Sequence, residues 1–314
     1  RKHSALLFIN MTRIFQDRIS FVKKKKLTRA IAGSLIVLFL CIASYLLYDR
    51  GRPLPIPMTR ELYDGVTYHR TVRFTPYPLI AHVLKIDTKV KGVELLVTPP
   101  DSNGATPLKA RTTSQFLDEF NLQIAINGDG FVPWWSRSPA DYYPHSGDPV
   151  TPLGFTASNG EVYSLGIELS VGVRPTLYVS RRNAISFNNP PGNIHNAISG
   201  DRMIVLKGEA APYLNDQDLE PRTAIGMNRN GRYLYLVVVD GRQPFYSSGA
   251  TLSELAQIFI DEGAYIAMNL DGGGSSTMVI EGENGQPVIL NSPIDNYIPG
   301  RERPVANHIG IYIK

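Results

Sequence analysis

The chain has 314 residues, 43% of them hydrophobic and 19% charged, which is enough to build a packed core and too apolar for a disordered chain. Its net charge of +4 joins two unlike parts: the first 52 residues hold 11 of the 32 Lys and Arg and 2 of the 28 Asp and Glu, leaving 21 bases and 26 acids for the other 262. Positive charge therefore sits on a terminal segment and not on the body, which excludes nucleic acid as partner; the single cysteine, Cys41, excludes disulfides, thiolate catalysis and cysteine-bound zinc from the body.

Residues 1–29 form a basic tail that includes Lys23 to Lys26 and Arg29, and Met11 offers an internal start that would shorten it. Ala30 to Tyr48 is an uncharged apolar run whose length suits a helix crossing about 30 Å of hydrocarbon. The lysine run on its amino side places the N-terminus in the cytoplasm and the body outside, in the periplasm or at the cell surface. Leu40 before Cys41 is not the small residue that lipoprotein cleavage requires, so lipidation is not expected. Residues 49–60, with Arg-Pro-Leu-Pro-Ile-Pro from Arg52 to Pro57, read as a stiff linker, and 61–314 as one large domain.

Within that domain strand-like runs dominate: Ile80 to Ile86, Val93 to Thr98, Leu122 to Ile126, Leu165 to Val171, Thr176 to Val179, Met203 to Leu206, Arg232 to Val239, Ala264 to Met268, Thr277 to Ile280 and Ile309 to Ile313. Two helices stand out, Thr113 to Phe120 and Leu252 to Glu262. The second carries a capping box at Thr251-Leu252-Ser253-Glu254 and a stop at Gly263. Few helices among many strands predict an α+β fold with mixed β-sheets. Each helix leads into the same pattern, Ile124-Ala125-Ile126-Asn127-Gly128-Asp129-Gly130 and Ile266-Ala267-Met268-Asn269-Leu270-Asp271-Gly272, which predicts two related strand-helix-strand units. With right-handed crossovers the two strands of each unit run parallel. Asp240 and Asp271 then fall at one carboxyl edge, where ligands of such sheets bind.

Asp271-Gly272-Gly273-Gly274-Ser275-Ser276-Thr277 has the composition of an oxyanion nest: three glycines let backbone N–H groups turn inward and three hydroxyls add donors. It lacks the Gly-Lys-Ser/Thr of a P-loop and the final glycine of a nucleophile elbow. Asn127 to Pro152 is a long loop with five prolines and with Trp134 and Trp135, whose rings suit sugar faces or simply pack on one another. Arg222, Arg242 and Arg303 adjoin strand-like runs and present forks that match phosphate. His195 is a general acid/base candidate or a hydrogen-bonded loop residue.

Arg222-Thr223-Ala224-Ile225-Gly226, Asp240-Gly241-Arg242, the Thr251-x-x-Glu254-Leu255-Ala256 helix, Asn269 to Met278, and Glu302-Arg303-Pro304-Val305-Ala306-Asn307 resemble, in this order, the phosphodiester glycosidase family. The resemblance covers most of the chain from about Asn127 onward and leaves out the anchor. It implies hydrolysis of the bond between a sugar's anomeric carbon and a phosphodiester, in a pocket that includes Asn127, Arg222, Asp240, the Asp271 to Thr277 loop and Arg303. Asp129 departs from the Asn-Gly-Gly-aromatic pattern that the resemblance leads one to expect.

The chemistry agrees. A phosphate monoester leaves with a second pKa of about 6 and needs little protonation, so the site should invest in cations around phosphate and in one carboxylate, Asp271 or Asp240, at the anomeric centre. No cofactor is required, although the same two aspartates would suit a divalent cation. Two rival expectations are a non-catalytic polysaccharide-binding or export accessory protein, and a serine hydrolase built on Ser275 or Ser276 with His195, which the missing elbow disfavours.

Overall fold

The computed structural model describes residues 2–102, 106–167 and 174–313, the side chains of 2–23 excepted. The chain divides into two units, Arg1–Pro53 and Leu54–Lys314. The first is a single helix, α1 (Lys2–Gly51), which carries the basic residues and the apolar run on one continuous rod. Its segment Lys24–Gly51 is 28 residues long, about 42 Å at ~1.5 Å per residue, and is long and apolar enough to cross a membrane.

The second unit is built on three main sheets. Strands β1 (Met58–Tyr63), β2 (Val66–Arg73), β3 (Leu79–Asp87), β4 (Val93–Val97), β5 (Ile124–Asn127), β6 (Arg202–Leu206), β7 (Glu209–Ala210), β8 (Arg222–Met227), β9 (Tyr233–Val239), β10 (Ile266–Asn269), β11 (Met278–Glu281), β12 (Pro287–Ile289) and β13 (His308–Ile313) form the first two. One sheet has the order β1-β2-β3-β9-β8-β10-β6-β7 and the other β12-β11-β5-β13-β4. A third sheet uses Phe155–Ser158, Glu161–Leu165, Thr176–Ser180, Ile185–Phe187 and Ile194–Ser199. The expected strand Leu165 to Val171 is a strand only at Leu165, and its residues 168–171 lie outside those described.

Period-two alternation explains the layering. Along β9, Leu234, Leu236 and Val238 face the core shared by all three sheets, while Tyr235, Val237 and Val239 face α3 (Leu252–Asp261). Along β5, Ile124 and Ile126 enter the shared core and Ala125 faces α2 (Thr113–Glu119). Each helix thus covers the outer face of its own sheet, burying Phe116 and Leu117 on α2 and Leu255 and Phe259 on α3. Emptying either phenylalanine site would cost about 3–5 kcal/mol.

Bonded neighbours within the sheets are antiparallel, so the parallel strands expected of each unit are not paired directly: β9 and β10 run in the same direction with β8 inserted between them. In the same way β4 and β5 run parallel with β13 between them. Each unit has a hairpin outside its last strand, β6–β7 beside β10 and β11–β12 beside β5. Within the Leu54–Lys314 unit, the repeat around α3 reads β6-β7-β8-β9-α3-β10 without a break, whereas the repeat around α2 supplies β4-α2-β5 early and β11-β12-β13 at the chain's end. The correspondence reaches single residues. Gly226 of β8 pairs with Ala267 and Gly310 of β13 with Ala125. A Cβ on Gly226 would lie 2.7 Å from Phe259, and one on Gly310 would lie 2.4 Å from Leu122 and 3.0 Å from Phe116. Both helices start on a capping box, Thr251 with Glu254 as the spacing predicts and Thr112 with Gln115 as well.

Candidate active site

The strand ends of the two units meet. Leaving β10, the Leu270 N–H donates to Thr223 O and the Asp271 N–H to Gly128 O, which lies just beyond β5. Asn127 bolts the junction: its Nδ2 donates to Asp271 O at 2.7 Å, and its Oδ1 accepts from Thr223 Oγ1 at 2.7 Å and from the Thr277 N–H at 3.1 Å. It is buried, and all these contacts are with protein, so this predicted binding residue holds the site together.

Beside the junction lies a cavity of about 400 Å³. Asp271 and Gly272 to Gly274 form one part of its wall, and Arg222, Arg242, Arg303 and Asn269 another. The antiparallel insertion of β8 puts Arg222 at the same sheet edge as Asp271, because Arg222 pairs with Val239 and Ala224 with Asn269.

The glycine loop is not the nest of inward N–H groups that its composition suggests. The Gly273 N–H donates to Pro221 O, those of Ser275 and Ser276 to Gly272 O and Gly273 O, and that of Thr277 to Asn127. The glycines instead make room for cations. A Cβ on Gly273, whose φ is +61°, would sit 3.0 Å from Arg242 Nη2, and one on Gly274 would sit 2.4 Å from Arg303 Nη2. Ser275, Ser276 and Thr277 are buried behind the loop and do not line the cavity.

Each guanidinium is braced from behind. Arg303 donates from Nε to Asp295 Oδ1 at 2.7 Å and from Nη1 to Ser275 Oγ at 3.4 Å, and stacks over Trp134 at 5.0 Å. Arg242 donates to Glu220 Oε2 at 2.6 Å and lies over the exposed Tyr297 ring at 5.6 Å. Arg222 donates to Ala250 O at 3.1 Å and Asp218 O at 3.0 Å, and burial lowers its pKa. Fixed donor forks of this kind suit a phosphoryl group. Burial pushes the Asp271 carboxyl above the usual aspartate range, while the Ser275 hydroxyl, Arg303, the Gly272 N–H and Arg174 pull it back.

Other candidates lie elsewhere. Asp240 reaches the predicted edge yet does not line the cavity. It is 1% exposed, with Oδ1 accepting from the Ser292 N–H at 2.6 Å and Asn291 Nδ2 at 3.2 Å, and Oδ2 lying 3.1 Å from His82 Nε2. The Tyr68 hydroxyl, 2.7 Å from His82 Nδ1, completes a buried chain that is satisfied when Tyr68 donates to Nδ1 and Nε2–H to Asp240. His195 lines a separate groove with Arg181 and Arg182, which removes the partner the serine-hydrolase expectation needs. Glu302 accepts the Ser114 N–H at 3.0 Å in the first turn of α2, and burial pushes its carboxyl up. Trp134 lines the cavity, whereas Trp135 stacks on Tyr143 at 4.6 Å outside it. Among the described residues no three His, Cys, Asp or Glu side chains converge where a metal would sit.

Four lining residues escaped the sequence reading: Leu153, Arg174, Asp201 and Glu220. Glu220 was the most accessible of these, since Glu220-Pro221-Arg222 abuts a quoted motif. Asn269 faces the cavity with its Oδ1 buried and unpartnered among the described residues.

A prophage-derived uncharacterized protein of Bacillus subtilis, YomE, is 38% identical over 91 residues, which are 29% of this chain and 12% of that protein. A Bos taurus N-acetylglucosamine-1-phosphodiester α-N-acetylglucosaminidase is 41% identical over 64 residues, 20% of this chain and 12% of its own length. The matches thus span about an eighth of either relative. The solved catalytic domain of the zebrafish enzyme of the same name superposes with a TM-score of 0.55 at 20% identity, covering 84% of this chain and 86% of that one. A hypothetical protein from Synechocystis gives 0.55 at 17% identity over 83% and 64% of the two chains. These two likenesses concern the fold. Residues 120–312, well over half of the chain, match the family described as phosphodiester glycosidase, and the chain belongs to that family.

Proposed function

We propose that this protein is a membrane-anchored hydrolase that cleaves the bond between a sugar's anomeric carbon and a phosphodiester on the outer side of the membrane. The observation that carries the reading is Asp271, a carboxylate hemmed in by protein and open to a cavity whose wall holds the guanidinium groups of Arg222, Arg242 and Arg303. Cleavage expels a phosphate monoester, a good leaving group near neutral pH, so the reaction needs charge stabilisation at phosphate more than a strong acid. The three arginines, admitted by the glycine loop, supply it. Asp271 then meets the positive charge that develops at the anomeric carbon, or takes the proton of the attacking water. Asn269 and the carboxylates of Asp201 and Glu220 offer acceptors for sugar hydroxyls.

Lys23 to Lys26 and Arg29 on the amino side of the apolar run favour a cytoplasmic N-terminus and an external domain. Protease added to cells stripped of any outer membrane should then degrade the Leu54–Lys314 unit, and protection of that unit would reverse the orientation.

The decisive experiment incubates the full-length chain in detergent with a panel of sugar-1-phosphodiesters and follows release of phosphate monoester. Release by the wild type and none by Asp271→Asn is the expected result. Affinity for sugar phosphates without release would replace the enzyme with a glycan-binding protein.

A further inference from the structure

Asp129 occupies, at the end of β5, the place that Asp271 occupies at the end of β10, since Asn127-Gly128-Asp129-Gly130 and Asn269-Leu270-Asp271-Gly272 leave equivalent strands. Their surroundings differ. Asp129 is 1% exposed. Its Oδ1 accepts from the Gly130 N–H at 2.8 Å and from Arg174 Nη2 in a very short contact, and its Oδ2 accepts from the Gly154 N–H at 2.7 Å. Its own N–H donates to Asn307 Oδ1 at 2.8 Å. With three donors on its two oxygens and its side chain buried outside the cavity lining, this carboxylate is engaged by protein and does not face a substrate in the cavity.

Arg174 does reach the cavity, close enough to Asp271 to favour its charged form. Its bracing is incomplete. Arg242 and Arg303 each direct Nε to a carboxylate and Arg222 directs it to a carbonyl, while the Arg174 Nε–H is buried with no acceptor among the described residues. A guanidinium has five donors, and leaving buried ones unmet costs free energy that an arriving anion would recover.

We propose that Asp129 is a positioning residue that holds Arg174 against the cavity, and that Arg174 contacts the phosphoryl oxygens of the bound substrate beside Asp271. This deepens the glycosidase reading and rests on its placement of the phosphoryl group in this cavity. The two units thereby give their equivalent aspartates different tasks: one meets the sugar and the other aims a cation at the phosphate.

The test titrates the full-length protein in detergent with glucose 1-phosphate and, separately, with glucose, by calorimetry. Arg174→Gln should weaken glucose 1-phosphate about tenfold or more and leave glucose nearly unchanged, as expected for a lost charge-assisted hydrogen bond. Asp129→Asn should do the same, and the double variant should be no weaker than Arg174→Gln alone, because Asp129 acts through Arg174. If Asp129→Asn loses its cooperative melt, Arg174→Lys decides, retaining part of the affinity that glutamine loses. Wild-type affinity for glucose 1-phosphate in Arg174→Gln, a further loss on adding Asp129→Asn, or a wild type that does not distinguish the two ligands would each overturn the proposal. Undiminished hydrolysis of sugar-1-phosphodiesters by Arg174→Gln would overturn it while leaving the glycosidase reading intact. Arg174-dependent binding without hydrolysis by the wild type would do the reverse.

Discussion

The β9-α3-β10 and β4-α2-β5 units share a capped helix, an inserted antiparallel strand and an aspartate two residues past the last strand, yet only one of the two aspartates is open to the cavity. After β10 the chain turns through glycines that admit Arg242 and Arg303, and Asp271 stays accessible. After β5 the chain donates N–H groups from Gly130 and Gly154 to Asp129, and Arg174 closes the remaining approach. A common backbone thus leaves the role of a carboxylate undecided until its donors are in place.

The largest effect expected from this contrast is on turnover. Asp271→Asn should lower kcat/KM on a sugar-1-phosphodiester by about a thousandfold or more with an unchanged melting temperature, against roughly tenfold for Asp129→Asn. Equal losses would dissolve the distinction between the two carboxylates. Asp240→Asn sharpens the contrast from outside the cavity. It should keep most turnover and cost about 1–3 kcal/mol of stability, read by urea denaturation, because the Ser292 N–H and His82 lose a charged acceptor. Near-complete loss of activity in a folded Asp240→Asn would restore this residue to the catalytic role that the sequence offered it.

The shared architecture is open to a stability test. Gly226→Ala and Gly310→Ala insert a Cβ at equivalent helix contacts, and each should cost about 1–3 kcal/mol. A cost at one site alone would show that the two helices are packed by different rules. The smallest effect concerns pH. Burial pushes the Asp129 carboxyl up to about 7, against the pull of Arg174 and the two N–H groups. Since the folded value exceeds the unfolded one, the fold takes up this proton first as pH falls. The associated stability is complete below about pH 4 and is lost as pH rises through about 7. The urea midpoint of the wild type should therefore fall more between pH 5 and 8 than that of Asp129→Asn, and parallel curves would contradict the assignment.

Much was readable from residue order alone. The apolar run, the capping box at Thr251 and Glu254, the alternation along β9 and the repeat ending in Asn-x-Asp-Gly all depend on neighbours within a few positions, where spacing and geometry are tightly linked. Arg222, Arg242, Arg303, Asn269 and Asp271 were chosen by motif and do line one cavity. Glu302, adjacent to Arg303, belongs to the same motif and instead accepts the Ser114 N–H in the first turn of α2.

Local order determined α2 and α3, about half of the strands and the chemical character of the site. Tertiary structure alone decided that β8 and β13 would insert between parallel strands, that the glycine loop would shelter guanidinium groups, and which aspartate would remain open to the cavity. The reason is reach. Asp129 is closed by Arg174, 45 positions away, and Asp240 by Ser292, 52 positions away, so the role of each carboxylate is set by donors that only the folded chain brings within hydrogen-bonding distance.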